Sequence, residues 1–211
     1  MWLEHELLQN SDLPGVFCIT TSYRNEPDPI PGRHDLIFPM FEFESRGDFI
    51  ALLELLDKLC EHLGFQVPPK VTYKELQDKY GVEELKDEHE QRMYEEYGNT
   101  VALIKFPEST HPFWNMKAND DGTYNKADII MGGMETIGSA EREVHTVKMI
   151  SRFKTLSDGK YAGKLHSLFG IPRVQKEMDK YLSFDFFPRF GGGIGLTRLA
   201  RAFALLEETG S

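Results

Sequence analysis

At 211 residues the chain is long enough to bury a substantial core as one domain without covalent staples. Its two cysteines, Cys18 and Cys60, form no CxxC pair, which argues against a disulfide framework or a zinc site and for a reducing, cytoplasmic setting. A formal net charge of −10 with no basic tail disfavours autonomous binding of tRNA or DNA, and no apolar run is long enough for a membrane-spanning helix.

Gly15 to Arg24 is rich in β-branched and aromatic residues and reads as a strand. Pro27, Asp28, Pro29, Pro31 and Gly32 make a loop, and His34 to Glu44 is a second strand, so the pair is expected as an antiparallel hairpin with a long tip. Apolar residues at 49, 52, 53, 56, 59 and 63 recur with helical spacing. Thr72 and Glu75 form a capping box for a short helix that Gly81 ends. Glu83 to Tyr97 is a highly charged helix whose acids read as a solvated face; His89 and Glu90 do not complete an HExxH zinc motif. Thr100 to Phe106 is a strand, and Tyr124 to Glu143 reads as strand, glycine-marked bend, strand, with Met131 and Met134 filling the core. Helices follow from Val144 to Leu182, where Tyr161, His166 and Phe169 read as packing residues. The chain closes with a strand-like Phe184 to Phe190, three glycines, and a helix from about Leu196 in which Leu199, Ala200, Phe203 and Leu206 share one face. Strands that arrive as hairpins, with helices between groups, predict an α+β fold with an antiparallel sheet flanked by helices.

Three constellations carry candidate chemistry. In the first, alternation along a strand puts Arg24 and Glu26 on one face. Arg24 offers a planar fork for a phosphate, Arg33 and His34 at the hairpin tip can close over outer phosphates, and Phe38 presents a flat face to a base. The second is Gly191, Gly192, Gly193 and Gly195, followed by Thr197 and Arg198 at a helix start; such glycines let a ligand approach the backbone. It matches neither a Walker loop nor GxGxxG. The third pairs Asp128 with Glu135, carboxylates suited to Mg²⁺, and adds Arg142 as a positive partner for an anionic side chain.

Taken in order, these segments resemble class II aminoacyl-tRNA synthetases of the aspartate/asparagine(/lysine) subgroup, including the related ammonia-dependent asparagine synthetase. Tyr23-Arg24-Asn25-Glu26, the loop, and Arg33-His34 through Phe38 look like motif 2 (about 16–44), and Gly191-x-Gly193-x-Gly195-x-x-Arg198 looks like motif 3 (about 188–206). Phe106-Pro107, His111-Pro112-Phe113-Trp114 and the stretch from Asp128 to Arg142 resemble the subgroup between them. The resemblance implies a single catalytic domain over 1–211, N-terminally truncated because the stretch upstream of motif 2 is too short for the dimer-forming motif 1. It implies ATP as substrate and Mg²⁺ as cofactor. Arg24 would hold the α-phosphate and substrate carboxylate, Glu26 the adenine side, and Arg33 and His34 the terminal phosphates. Phe38 and Arg198 would sandwich the adenine beside Gly193 and Gly195, with Arg198 also reaching the γ-phosphate. Asp128 and Glu135 would bind Mg²⁺, and Arg142 the side chain of aspartate or asparagine.

Two positions depart from the pattern: Gly138 stands where a metal-binding serine is frequent, and Thr197 where the tRNA ligases usually carry an acid. Thr197 and the acidic charge favour aspartate activation with ammonia as acceptor, giving asparagine. The alternatives are an aspartyl/asparaginyl-tRNA ligase core, with tRNA engaged through another domain, and a non-catalytic paralogue that binds ATP or an amino acid. A homodimer is the family's habit, formed through motif 1.

Overall fold

In the computed structural model, which describes residues 2–25, 28–32 and 35–209, the outer hairpin strand alternates in burial while the central strands are buried along most of their length. β1 (Gly15–Tyr23) and β2 (Ile37–Arg46) form the expected hairpin, paired antiparallel from Gly15 opposite Ser45 to Tyr23 opposite Ile37. β3 (Lys70–Thr72), β4 (Thr100–Pro107), β5 (Thr123–Met131), β6 (Met134–Glu141) and β7 (Arg189–Gly195) complete a seven-stranded sheet among the described residues, in the order β1-β2-β7-β6-β5-β4-β3. Every pairing is antiparallel except that of β3 with β4.

The helices follow local chemistry. α2 (Phe49–His62) starts where the Asp48 carboxylate accepts the Ala51 N–H at 3.0 Å. Its buried stripe of Phe49, Leu52, Leu56 and Cys60 keeps helical spacing. α3 (Tyr73–Tyr80) carries the predicted Thr72–Glu75 capping box and ends at Gly81 in the left-handed region, φ 68°. The charged helix is α4 (Asp87–Tyr97), beginning four residues later than the composition suggested. α5 (Thr146–Thr155), α6 (Lys160–Phe169) and α7 (Ile171–Leu182) surround a separate cluster that includes Trp114, Phe153, Val174 and Tyr181.

Three expectations need correction. α1 (Trp2–Gln9) was not foreseen: its Glu4 is fully buried, where it accepts from Arg189 Nε at 2.9 Å, Tyr181 Oη at 2.7 Å and Asn115 Nδ2 at 2.9 Å. Phe184 to Pro188 is not a strand; β7 begins at Arg189 and runs on through the glycines, so Gly191, Gly192 and Gly193 lie in the middle of the sheet, not after the strand. On α8 (Leu196–Thr209), Ala200 is exposed and Ala202 takes its place beside Leu199, Phe203 and Leu206, as a 3.6-residue repeat requires.

α2 and α8 cover one face of the sheet, packing on Phe43, Ile129, Ile137, Phe190 and Ile194. Because side chains alternate, the residues between these point to the opposite face, and that face carries the candidate site.

Candidate active site

The register aligns the site row by row. Glu44 pairs with Gly191, Glu42 with Gly193 and Met40 with Gly195; across β7, Gly193 pairs with Gly138, which in turn pairs with Asp128. The cleft is thus floored by backbone where neighbouring strands carry side chains. A Cβ on Gly191 would run into the Glu44 carboxylate, and one on Gly193 into the Met40 methyl. One on Gly195 would meet nothing closer than 3.8 Å and would project into the cavity.

Two cavities open on this floor. The smaller, about 160 Å³, brings together Arg24, Phe38, Glu135, Gly193, Gly195 and Arg198, all predicted from sequence, and adds Asp35, Thr136 and Thr197. Arg24 lies just beyond the end of β1; its N–H donates to the Leu36 carbonyl at 2.8 Å, and its guanidinium stands 5.3 Å from the centre of the Phe38 ring. Arg198, in the first turn of α8, donates through Nη1 to the Glu135 carbonyl. Glu26, Arg33 and His34 lie outside the described residues.

The larger cavity, about 530 Å³, shares Met40, Gly138 and Gly193 with the first. Arg142 lines it, but with its Nε and Nη2 already turned to Glu44: Nε donates to Oε1 at 3.0 Å, and Nη2 closes the pair. Burial pushes the Glu44 carboxyl above its ordinary range, and Arg142 pulls it back. Glu42 lines the same cavity and accepts the Thr20 hydroxyl at 2.9 Å, while Cys18, Lys126, Trp2 and Leu3 complete the wall. Sequence reasoning passed over Glu42, Glu44 and Lys126. The signal for the acids was present: Phe41-Glu42-Phe43-Glu44 alternates apolar and acidic, which on a strand puts both carboxylates on one face and both rings in the core.

Asp128 and Glu135 do converge. A bulge in the β5–β6 ladder pairs Ile129 with Ile137 but Ile130 with Glu135, and so swings the Glu135 side chain onto the Asp128 face. A Cβ on Gly138 would lie 3.0 Å from Glu135 Oε1 and 3.7 Å from Asp128 Oδ1, so the absent side chain leaves room between the two carboxylates. Asp128 is buried and ion-paired to Lys126 through Oδ2, yet its Oδ1 has no hydrogen-bond partner. Burial, opposed by Lys126 and reinforced by Glu135, pushes the Asp128 carboxyl up to about 7. An orphaned buried carboxylate oxygen beside a second carboxylate is a donor set that fits Mg²⁺, which takes one or two protein carboxylates and completes its shell with water and phosphate.

The family model described as tRNA synthetases class II (D, K and N) matches residues 3–208. A cytoplasmic aspartate–tRNA ligase of Caenorhabditis elegans is 30% identical over 108 residues, 51% of this chain and 18% of that protein. The asparaginyl-tRNA synthetase of Pyrococcus horikoshii, solved with asparaginyl-adenylate, superposes with a TM-score of 0.76 at 19% identity, covering 94% of this chain and 50% of its own. The aspartyl-tRNA synthetase of Entamoeba histolytica gives 0.74 at 19% identity, covering 95% and 47%. At these identities the structural likeness establishes the fold, and the chain spans about half the length of the solved synthetases. All three of these relatives are tRNA ligases or synthetases, and none of the three is an ammonia-dependent asparagine synthetase. The match over nearly all its length, on a seven-stranded sheet of the expected α+β type, makes this chain a member of the class II tRNA synthetase family of the D, K and N group.

Proposed function

We propose that the chain is the adenylating core of an aspartyl/asparaginyl-tRNA ligase, joining ATP and its amino acid into an aminoacyl-adenylate. The observation that carries this reading is the pair of cavities sharing Met40, Gly138 and Gly193: one holds Arg24, Phe38 and Arg198, the other Arg142, Glu42 and Glu44. A nucleotide in the first and an amino acid in the second would meet over the glycine floor.

In this reading the adenine lies between Phe38 and Arg198, with Glu26 on its polar edge. Arg33 and His34 meet the outer phosphates. Arg24 bridges the α-phosphate and the amino-acid carboxylate. A carboxylate oxygen attacks the α-phosphorus, the bond to the bridging oxygen breaks, and pyrophosphate leaves with that electron pair. Arg24 supplies fixed positive charge where negative charge gathers during the attack. Asp128 and Glu135 would hold Mg²⁺, which when bound supplies further charge neutralisation to the phosphates.

The charge of the larger cavity bears on the amino acid. Glu44 already neutralises Arg142, Lys126 is paired to Asp128, and Glu42 adds a negative charge. A neutral side-chain amide enters without a further like charge, and it can accept from Arg142 Nη1, which makes no hydrogen bond to a described residue, while donating to Glu42. This favours asparagine over aspartate. The acceptor would be tRNA, with a net charge of −10 keeping affinity low and salt-sensitive in this stretch of chain.

The test is ATP–pyrophosphate exchange with Mg²⁺, run separately with asparagine and aspartate, for the wild type and Arg24→Ala. Exchange that needs one of the two and disappears in the variant supports the reading, and product analysis with tRNA or ammonium then assigns the acceptor. Absence of exchange with either amino acid, in a protein that binds ATP, refutes it.

A further inference from the structure

α4 looks from sequence like a solvated, acidic helix, yet one of its acids turns inward. Met93, on α4, is fully buried against Leu76, Val101 and Leu103, which fixes the helix on the β4 side of the sheet. Gly133, in the β5–β6 turn with φ 78°, leaves the space that Gln91 occupies; a Cβ there would strike its amide. Glu90 is half-buried between these anchors and shares a cavity of about 430 Å³ with Lys126, Asp128 and Glu135. The bulge disrupts the regular ladder at Glu135, and the Glu135 N–H donates to Glu90 Oε2 at 2.9 Å. Glu90 Oε2 is engaged by the Glu135 N–H, and among the described residues no group of three His, Cys, Asp or Glu side chains is arranged to hold a metal ion.

We propose that Glu90 is a positioning residue for a divalent cation held by Asp128 and Glu135: by taking the Glu135 N–H it holds the bulge in the form that turns the Glu135 carboxylate toward Asp128. The proposal rests on the cation site described under the proposed function and deepens it. Without an acceptor at Glu90, the N–H is left unsatisfied, β6 can slide back into regular alternation, and Glu135 would then point away from Gly138. Glu90 also sits on a rigid helix with a packed neighbour on either side, the arrangement that a supporting group needs to fix a ligand.

The experiment uses the full chain and Mn²⁺ alone, followed by loss of the free-ion paramagnetic signal, with four variants: Glu90→Ala, Glu90→Gln, Asp128→Asn and Glu135→Gln. Loss of an outer partner of a metal ligand typically weakens affinity about 10-fold or more, and that is the expected rise in Kd for Glu90→Ala. Glu90→Gln keeps a side-chain oxygen that accepts from the Glu135 N–H and is expected to restore most of the affinity, which a purely electrostatic role would not allow. Asp128→Asn and Glu135→Gln are expected to abolish binding, and thermal melts confirm that each variant is folded. If the two ligand variants lose Mn²⁺ while Glu90→Ala binds as the wild type does, the positioning role is overturned and the cation site stands. If Glu90→Gln is as weak as Glu90→Ala, charge and not position is at work, which also overturns it. If Asp128→Asn and Glu135→Gln bind Mn²⁺ like the wild type, the cation site falls, and this proposal with it.

Discussion

Glu44→Ala tests whether the Arg142–Glu44 pair is as isolated from water as the structure has it. Both side chains are mostly buried, at 15% and 5% exposure, and the guanidinium presents two nitrogens to one carboxylate. Removing one partner of a buried pair leaves the other charged and uncompensated, at about 3–5 kcal/mol. Arg142 lines the larger cavity, so water can reach one side of it, and the loss belongs at the lower end, about 3 kcal/mol. For a chain of this length that lowers Tm by about 6–12 °C, and with a urea m-value of about 3 kcal/mol/M it moves the midpoint by about 1 M. Urea unfolding followed by circular dichroism measures the change. The double replacement Glu44→Leu, Arg142→Met is expected to recover much of the stability, because removing both charges removes the desolvation penalty of each. A loss below about 1 kcal/mol for Glu44→Ala would mean the pair behaves as an exposed one. A double variant no more stable than the single one would locate the cost in lost packing. Either result refutes the argument.

Gly191→Ala is expected to cost about 1–3 kcal/mol by driving a methyl into the Glu44 carboxylate; Gly195→Ala should leave the melting temperature nearly unchanged and weaken ATP binding measured by calorimetry, because its methyl meets open cavity. The raised Asp128 carboxyl binds a proton in the folded chain across a range where the unfolded chain does not, so its contribution to stability falls as pH rises from about 4 to about 7. Asp128→Asn should flatten that slope in unfolding measured across this range. Thr72→Ala removes the capping box of α3 and should cost about 1 kcal/mol, read from the same urea titrations.

The hairpin of β1 and β2, the stripe of α2 and the capping box of α3 were legible because each is a local pattern: β-branched and aromatic runs on either side of a proline-rich loop, a 3.6-residue repeat, a pair three residues apart. β7 was not, for the same reason in reverse. Alternation is a pattern of side chains, and Gly191, Gly192 and Gly193 have none, so the strand was expected to end at Phe190, before them. The motifs brought the right residues to the smaller cavity, since Arg24, Phe38, Glu135, Gly193, Gly195 and Arg198 all line it. What they hid was pairing at a distance. Glu44 lies 98 residues from Arg142, and Glu4 lies 185 from Arg189; no local pattern reports such a pair. The seven-residue interval from Asp128 to Glu135 was uninformative because a bulge, and not spacing, sets their approach. Glu90 was lost in a helix with several other acids, where only tertiary packing tells the inward one from the solvated ones.

The same glycines that blurred the sequence explain how the cleft is made. Glycine in a strand interior weakens it by roughly 0.5–1 kcal/mol relative to alanine, so four in seven positions would be a poor isolated strand. β7 is held on both sides by ladders to β2 and β6, and its Phe190 and Ile194 fill the core under α2 and α8. The strand therefore divides its labour by face: the core side supplies burial, while the site side supplies empty volume. Strand spacing in a sheet is fixed at about 4.8 Å by hydrogen bonds, so a cleft cannot be opened by spreading strands. It can be opened by deleting a side chain, and Gly195 does so at the smaller cavity, whereas the room left by Gly193 is taken by the Met40 methyl. Gly191 serves a different end, since the room it leaves is filled by the Glu44 carboxylate that holds Arg142. One glycine run thus meets two separate demands, space for a ligand and space for the ion pair beside it, and each fails under a different single methyl.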